Sequence, residues 1–445
     1  MLKTTPNHTL SSLPQSQAVL NILQAALVAA DPAEAIRRAV QLHGTHLHVS
    51  GAAYDLSDFR KIHLLSIGKA GGMLAFALEQ LLGRFLAQGL VITKTTDQPP
   101  LSLCTVIQGA HPIPDERSLA AGQAVARFLG EISPDDLLLC TISGGASALI
   151  AAPHAPLTLA ALQTLTSHLL ACGANIEEIN TLRRHLDSLK GGGFLRHTDA
   201  TVLSLILSDV VGGTPSAVAS GPTAADPSTS ADALKILEKY NLLGQIPAQV
   251  ISALHNAPET IKPGDSRLSN VRNIMIGNNL MALQAALRQA ADEGFHPYLL
   301  RANLSGEARE VAVELCAALR WACQRGEPVA RPFCMVAGGE STVTLRGSGR
   351  GGRNTELALA AVTELAEFPN VLLVTLATDG EDGPTDAAGA IVNGESWRRA
   401  KSQGLSPMAH LQNNDSYSFF AALNDLLKTG STGTNVNDLV LLFGF

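Results

Sequence analysis

The sequence predicts an α/β protein of two domains, each a mainly parallel sheet covered by helices. Three observations lead there. The runs 62–67, 137–142, 202–207 and 371–376 are dominated by apolar residues and show no polar/apolar alternation, as strands buried on both faces do. Segments with apolar residues at helical spacing lie between them, which is the βαβ rhythm. Glycine-rich turns join several strand ends to the helices that follow: GKAGG at 68–72, SGGAS at 143–147 and RGSGRGGR at 346–353.

In chain order, residues 17–43 have helical period, interrupted at Asp31-Pro32, where a second helix begins. Strand 62–67 enters helix 73–82, and short strands follow at 89–93 and 105–108. After the loop GAHPIPD come helix 116–129, strand 137–142, helices 156–171 and 175–190, and strand 202–207. Residues 214–230 turn to Pro, Ser, Ala and Gly and read as a long loop, with helices 231–241 and 247–254 beyond it. The polar stretch 258–270 is the best domain boundary. A second α/β series contains strand 271–276, helix 279–293, strand 296–300, helix 306–324, strands 334–336 and 341–345, helix 355–365 and strand 371–376. Helices 394–403 and 416–427 and strand 439–443 close it.

Composition narrows the function. The chain has 445 residues, 46% hydrophobic and 16% charged, enough for two or three domains with sizeable cores and unlike a disordered protein. A net charge of -7 with dispersed Arg and Lys argues against nucleic acid. Six cysteines without a C-x-x-C argue against a disulfide or zinc framework. Residues 1–16 lack an apolar signal core and read as a polar tail, and no apolar run approaches the ~20 residues of a membrane span. The expectation is a cytoplasmic protein with no membrane partner.

The candidate site residues cluster at strand ends. Gly68-Lys69 at the tip of strand 62–67 would neutralise phosphate charge, although no Walker loop is present. Ser143, Gly144, Gly145 and Ser147 form a turn able to hold an anion on N–H groups, or a tight structural turn. Asp209, directly after strand 202–207, can bind a metal, accept a hydroxyl proton or cap its turn. His111 is expected to pin its loop. Gly349, Arg350, Gly351, Gly352, Arg353 and Asn354 gather glycine backbone, guanidinium charge and a helix start, a combination suited to phosphate or carboxylate. Gly347, Gly349 and Gly352 also fit the dinucleotide pattern G-x-G-x-x-G, but two arginines crowd that loop and the next strand-end acid, Asp379, is more distant than the usual ~20 residues. Residues 378–386 carry four carboxylates, among them Asp379 and Asp382, compatible with Mg²⁺ held by one or two carboxylates plus substrate phosphates.

Taken together, these segments resemble class II glycerate 2-kinases, which pair an N-terminal glycerate kinase domain with a C-terminal MOFRL domain. The resemblance rests on SIGKA (66–70), GAHPIPDE (109–116), TISGGASAL (141–149), INTLRRHLDSLKGG (179–192), LSDVVGG (207–213) with ASGPTAAD (219–226), GGES (338–341), GRGGRNTELALA (349–360), ATDGEDGPTDAAGA (377–390) and TGTNVND (432–438). It spans nearly the whole chain in order, with departures at Gly193 and Ser431. It implies a Rossmann-like domain at 17–262, a smaller α/β domain at 263–445 with the MOFRL region at about 331–438, and a cleft between them. It also implies ATP-dependent phosphorylation of D-glycerate at the 2-hydroxyl with Mg²⁺ or a similar divalent ion. Family catalytic roles fall on Lys69 and Arg353, with Asp209 and Asp379 expected to carry the metal or orient the hydroxyl and Asp382 as a further metal candidate. A homodimer is compatible with this reading. The rivals are an NAD(P)H-dependent hydroxypyruvate reductase, using the G-x-G-x-x-G loop, and a non-enzymatic sugar-phosphate-sensing module.

Overall fold

The computed structural model describes residues 7–210 and 212–445, and the chain divides into two compact units, Pro32–Ile276 and Met1–Asp31 with Gly277–Phe445. Within the first unit, apolar runs build six strands: β1 (Ile62–Ile67), β2 (Leu86–Thr93), β3 (Cys104–Gln108), β4 (Leu137–Ser143), β5 (Thr201–Leu207) and β6 (Val271–Gly277). They lie in the order β3-β2-β1-β4-β5-β6. The β3–β2, β2–β1, β1–β4 and β4–β5 pairs are parallel. Every residue of β1 and β4 is buried, which explains their unbroken apolar character: helices cover both faces. Leu65, Ile67, Ile92, Leu138, Cys140, Ile142 and Phe194 share one core.

The strand order reverses between β1 and β4. In open α/β sheets the crevice for ligands opens at that switch point, beyond the carboxyl ends of the strands. Ile67 pairs with Ile142, and Ser143 with Leu207, so the ends of β1, β4 and β5 are level. The loops that begin at Gly68, Gly144 and Ser208 therefore leave the sheet side by side. One small element departs from expectation. Residues 40–43, read as helix, form the first strand of a three-stranded antiparallel meander with His46–Val49 and Ala52–Asp55.

The second unit holds β7 (His296–Leu304), β8 (Phe333–Gly339), β9 (Val371–Ala377), β10 (Gly389–Asn393), β11 (Leu426–Leu427) and β12 (Asp438–Gly444), in the order β7-β8-β12-β9-β10-β11. This sheet is mixed, a departure from the mainly parallel expectation. The fully buried closing strand β12 inserts antiparallel between β8 and β9. Residues 341–345, expected as a strand, are irregular because Thr342 and Thr344 bond back to Gly306 and Glu307. The helix Ser16–Ala30 belongs to this unit: Asn21 Nδ2 donates to Glu293 (2.7 Å) and Thr434 Oγ1 to Ala30 O (2.7 Å). Of the expected polar tail, residues 1–6 lie outside the described residues. His8–Ser11 form a helical turn, with buried Thr9 donating its N–H to Asp425 (3.0 Å). Among the described residues no single helix is long and apolar enough to cross a membrane.

Candidate active site

In the first unit, the turns after β1 and β4 are locked together. Gly68 takes φ 125°, a conformation that favours glycine, and a Cβ there would come within 2.1 Å of Ser143 Oγ. Lys69 N–H donates to Gly144 O (2.9 Å) and Ala70 N–H to Ser143 Oγ (3.1 Å). Ser143 is buried, and its hydroxyl braces the Lys69 loop. Lys69 itself is exposed. A Cβ on Gly145 would lie 3.0 Å from both Lys69 Cγ and His111 Cδ2, so these three residues form one packed group.

Burial, helped by Lys69 and Lys94, brings the His111 pKa down to about 4, leaving a neutral imidazole at pH 7. Half-buried Asp209 leans over the neighbouring turn; a Cβ on Gly144 would meet its Oδ2 at 1.9 Å. Ser147 Oγ shares a 2.9 Å hydrogen bond with Ser220 Oγ, whose other contact is Asn180 Oδ1 (3.2 Å). Lys69, Gly144, Gly145, Ser147 and Asp209 thus lie together at the switch point, and His111, Ser220 and Asn180 join them.

The second unit corrects the reading of the glycine loop. Most of its N–H groups are already occupied: Arg346 and Gly347 donate to Asn414 Oδ1, Ser348 to Asn413 Oδ1, Gly349 to Asn413 O, Arg350 to Asp415 Oδ1 and Gly352 to Thr355 Oγ1. A Cβ on Gly347 or Gly349 would strike residues 413–415 at 2.4 Å, and one on Gly351 would meet Ser416 Oγ at 2.1 Å. The space a pyrophosphate would need is filled by the chain itself. The anion at the start of helix Arg353–Glu364 is Asp382, completely buried. Its Oδ1 accepts from the backbone N–H (2.9 Å) and Nδ2 (3.3 Å) of Asn354, and its Oδ2 from the N–H (2.8 Å) and hydroxyl (2.7 Å) of Thr355. Asp382 is therefore a helix cap and not a metal ligand, and buried Asn354 is its partner. Gly349, Gly351 and Gly352 serve packing. Arg350 is exposed, with its guanidinium 4.3 Å above the Tyr417 ring.

Arg353 is the cation this architecture fixes. β8 and β9 flank β12 so that Gly339 and Ala377 both pair with Asp438. There Arg353 grips Asp438 through Nε and through Nη2 (2.8 Å), with Glu340 3.6 Å from Nη1. Burial raises the Asp438 carboxyl to about 6 against the pull of Arg353, while the bond to Asp438 and its charge hold the guanidinium above its ordinary value despite desolvation. Asp379, half-buried, accepts from Glu381 N–H (3.1 Å) and Asn435 Nδ2 (3.1 Å). Asn437 Nδ2 donates to Glu340 (3.0 Å). Glu340, Asn435, Asn437 and Asp438 escaped the residue-level reading, although GGES and TGTNVND contain them. Among the described residues no three His, Cys, Asp or Glu side chains gather as a metal site, so Asp209 and Asp379 stand apart from any preformed cluster.

The family described as "Domain of unknown function (DUF4147)" matches residues 18–255, and the MOFRL family matches residues 333–438. A Pyrococcus horikoshii protein named glycerate 2-kinase is 36% identical over 430 residues, 95% of this chain and 96% of that one. The chain belongs to the glycerate 2-kinase family. A solved structure titled glycerate kinase, from Thermotoga maritima, superposes with a TM-score of 0.86 at 35% identity, covering 96% of this chain and 99% of that one. An Agrobacterium vitis protein named putative hydroxypyruvate reductase is 38% identical over 84% of this chain and 85% of its own length. Family membership thus extends across both sheets, and the loop after β1 that carries Lys69 falls within the first matched region.

Proposed function

We propose that this protein transfers the γ-phosphoryl group of ATP to the 2-hydroxyl of D-glycerate, giving 2-phospho-D-glycerate and ADP. The observation that carries the reading is Lys69: an exposed lysine at the sheet's switch point, its backbone N–H bonded to Gly144 and its aliphatic stem beside Gly145. Phosphoryl transfer asks the protein for positioning and charge stabilisation, and the reading gives a charge-stabilising role to Lys69 in the first unit and to Arg353 in the second. The hydroxyl oxygen attacks phosphorus as the bond to the leaving ADP oxygen breaks, with Asp209 or Asp379 orienting the hydroxyl and accepting its proton.

A Mg²⁺ ion keeps several waters and needs only one or two protein carboxylates beside phosphate oxygens, so half-buried Asp209 and Asp379 fit it, whereas the fully bonded Asp382 does not. Bound there, such an ion would neutralise nucleotide phosphate charge. The name hydroxypyruvate reductase on one relative keeps the reductase in view, but the glycine loop it would use is filled by residues 413–416. Two parallel assays decide between them. ADP release from ATP, Mg²⁺ and D-glycerate supports the kinase; oxidation of NADH by hydroxypyruvate without ADP release would replace it with the reductase.

A further inference from the structure

The helix Ile176–Leu186 starts in a capping box between Asn175 and Glu178, and its buried charges are paired. Arg184 Nε lies 3.1 Å from Asp226, His185 lies between Asp226 and Glu259, and Glu178 binds Lys239 (2.6 Å) and Tyr240 (2.8 Å). Arg183 is the exception. It is half-buried, yet it makes no hydrogen bond or ion pair with any described residue. Burial pulls its guanidinium below the ordinary value, the direction expected when water is lost and no anion is gained. A desolvated cation without a partner is costly, and a fold keeps one where a ligand supplies the missing charge.

Its position on the helix says which ligand. Asn180 lies one turn earlier on the same face, since residues three apart are neighbours on a helix. Asn180 accepts from Ser220, Ser220 bonds Ser147, and Ser147 follows Gly145, whose backbone packs on Lys69. Ala219 and Ser220, at φ 55° and 59°, are both in the left-handed region. Each such non-glycine residue costs about 1 kcal/mol or more, so the surroundings hold Ser220 in this row at some expense. A guanidinium followed by an amide and two hydroxyls suits a small hydroxy acid: the planar fork meets a carboxylate and the polar row meets hydroxyls.

Resting on the kinase reading above, we propose that Arg183 receives the carboxylate of the hydroxy-acid acceptor. The test is the full-length protein with Arg183→Met and Arg183→Lys, assayed with ATP and D-glycerate. Arg183→Met raises KM for D-glycerate on the order of 100-fold and leaves KM for ATP within about 3-fold, the size of a lost buried charge contact. Arg183→Lys recovers part of the loss. Glycerol, which lacks the carboxylate, is used equally poorly by wild type and Arg183→Met. Because Arg183 has no partner among the described residues, Arg183→Met melts no lower than wild type.

An unchanged KM for D-glycerate, a rise in KM for ATP instead, or a lowered melting temperature would each overturn the assignment. Titration calorimetry with D-glycerate alone needs no turnover. It shows wild-type binding that Arg183→Met loses, so a failure of the carboxylate contact is told apart from a failure of the kinase reading.

Discussion

Arg353 and Asp438 meet in a two-pronged ion pair at the point where β8 and β9 both pair with the first residue of β12. The carboxylate fixes the plane of the guanidinium, and the sheet fixes the carboxylate. Removing one partner of a buried pair leaves the other charge uncompensated, at a cost of about 3–5 kcal/mol. Asp438→Asn is therefore expected to lower unfolding free energy by about 3 kcal/mol or more in urea titrations. Arg353→Lys, which keeps the charge and loses the fork, should reduce turnover by at least ~100-fold. Near-wild-type turnover in Arg353→Lys would remove Arg353 from the charge-stabilising role.

Gly144 and Asp209 give a second test, because their contact leaves no room for a methyl group. Gly144→Ala has to displace the Asp209 carboxylate, and a shift of 1 Å at a reacting group can cost about 100-fold. The expected result is a turnover loss of that order with unchanged β-sheet circular dichroism. Full activity in Gly144→Ala would mean that Asp209 is not held for catalysis.

The cap assignment for Asp382 predicts loss of stability without loss of metal response. Asp382→Ala strips four hydrogen bonds from the start of helix Arg353–Glu364. A lost cap with buried N–H groups left unpaired costs roughly 2 kcal/mol or more. Urea unfolding should show that deficit, while the Mg²⁺ concentration giving half-maximal activity stays put. A raised Mg²⁺ requirement at unchanged stability would return Asp382 to the metal.

His111 makes stability depend on pH in a defined window. Its folded pKa, about 4, lies below the ordinary 6.5, so between these values the unfolded chain binds a proton that the folded protein does not. Its contribution is complete above pH 6.5 and is lost as pH falls toward 4. His111→Gln should flatten part of the decline in melting temperature across that range. The slope that remains belongs in part to His63, His154 and His197, whose pKa values burial also lowers. An identical slope in wild type and variant would contradict the burial of His111.

The legible parts of this protein are those decided by local chemistry. Unbroken apolar runs gave away β1, β4, β5 and β9 because both faces of each strand are buried. Gly68-Lys69 and Gly144-Gly145 stood out because a strand-to-helix turn needs glycine there and a lysine does not. What sequence could not say is who supplies the anion at a cationic loop. The answer, Asp382, lies 28 residues beyond Asn354, and Asp415 lies 65 beyond Arg350. Asp438 was hidden for the same reason: its role depends on β12 inserting between two strands far earlier in the chain. Arg183 was hidden in a motif whose neighbouring charges are structural.

The most direct measurement is product identification by phosphorus NMR after incubating wild type and Lys69→Ala with ATP, Mg²⁺ and D-glycerate. The account predicts 2-phospho-D-glycerate and ADP in equal amounts from wild type, and a rate lower by about 10³-fold or more for Lys69→Ala. Phosphate on another carbon, no phosphorylated product, or an undiminished rate in Lys69→Ala would contradict it.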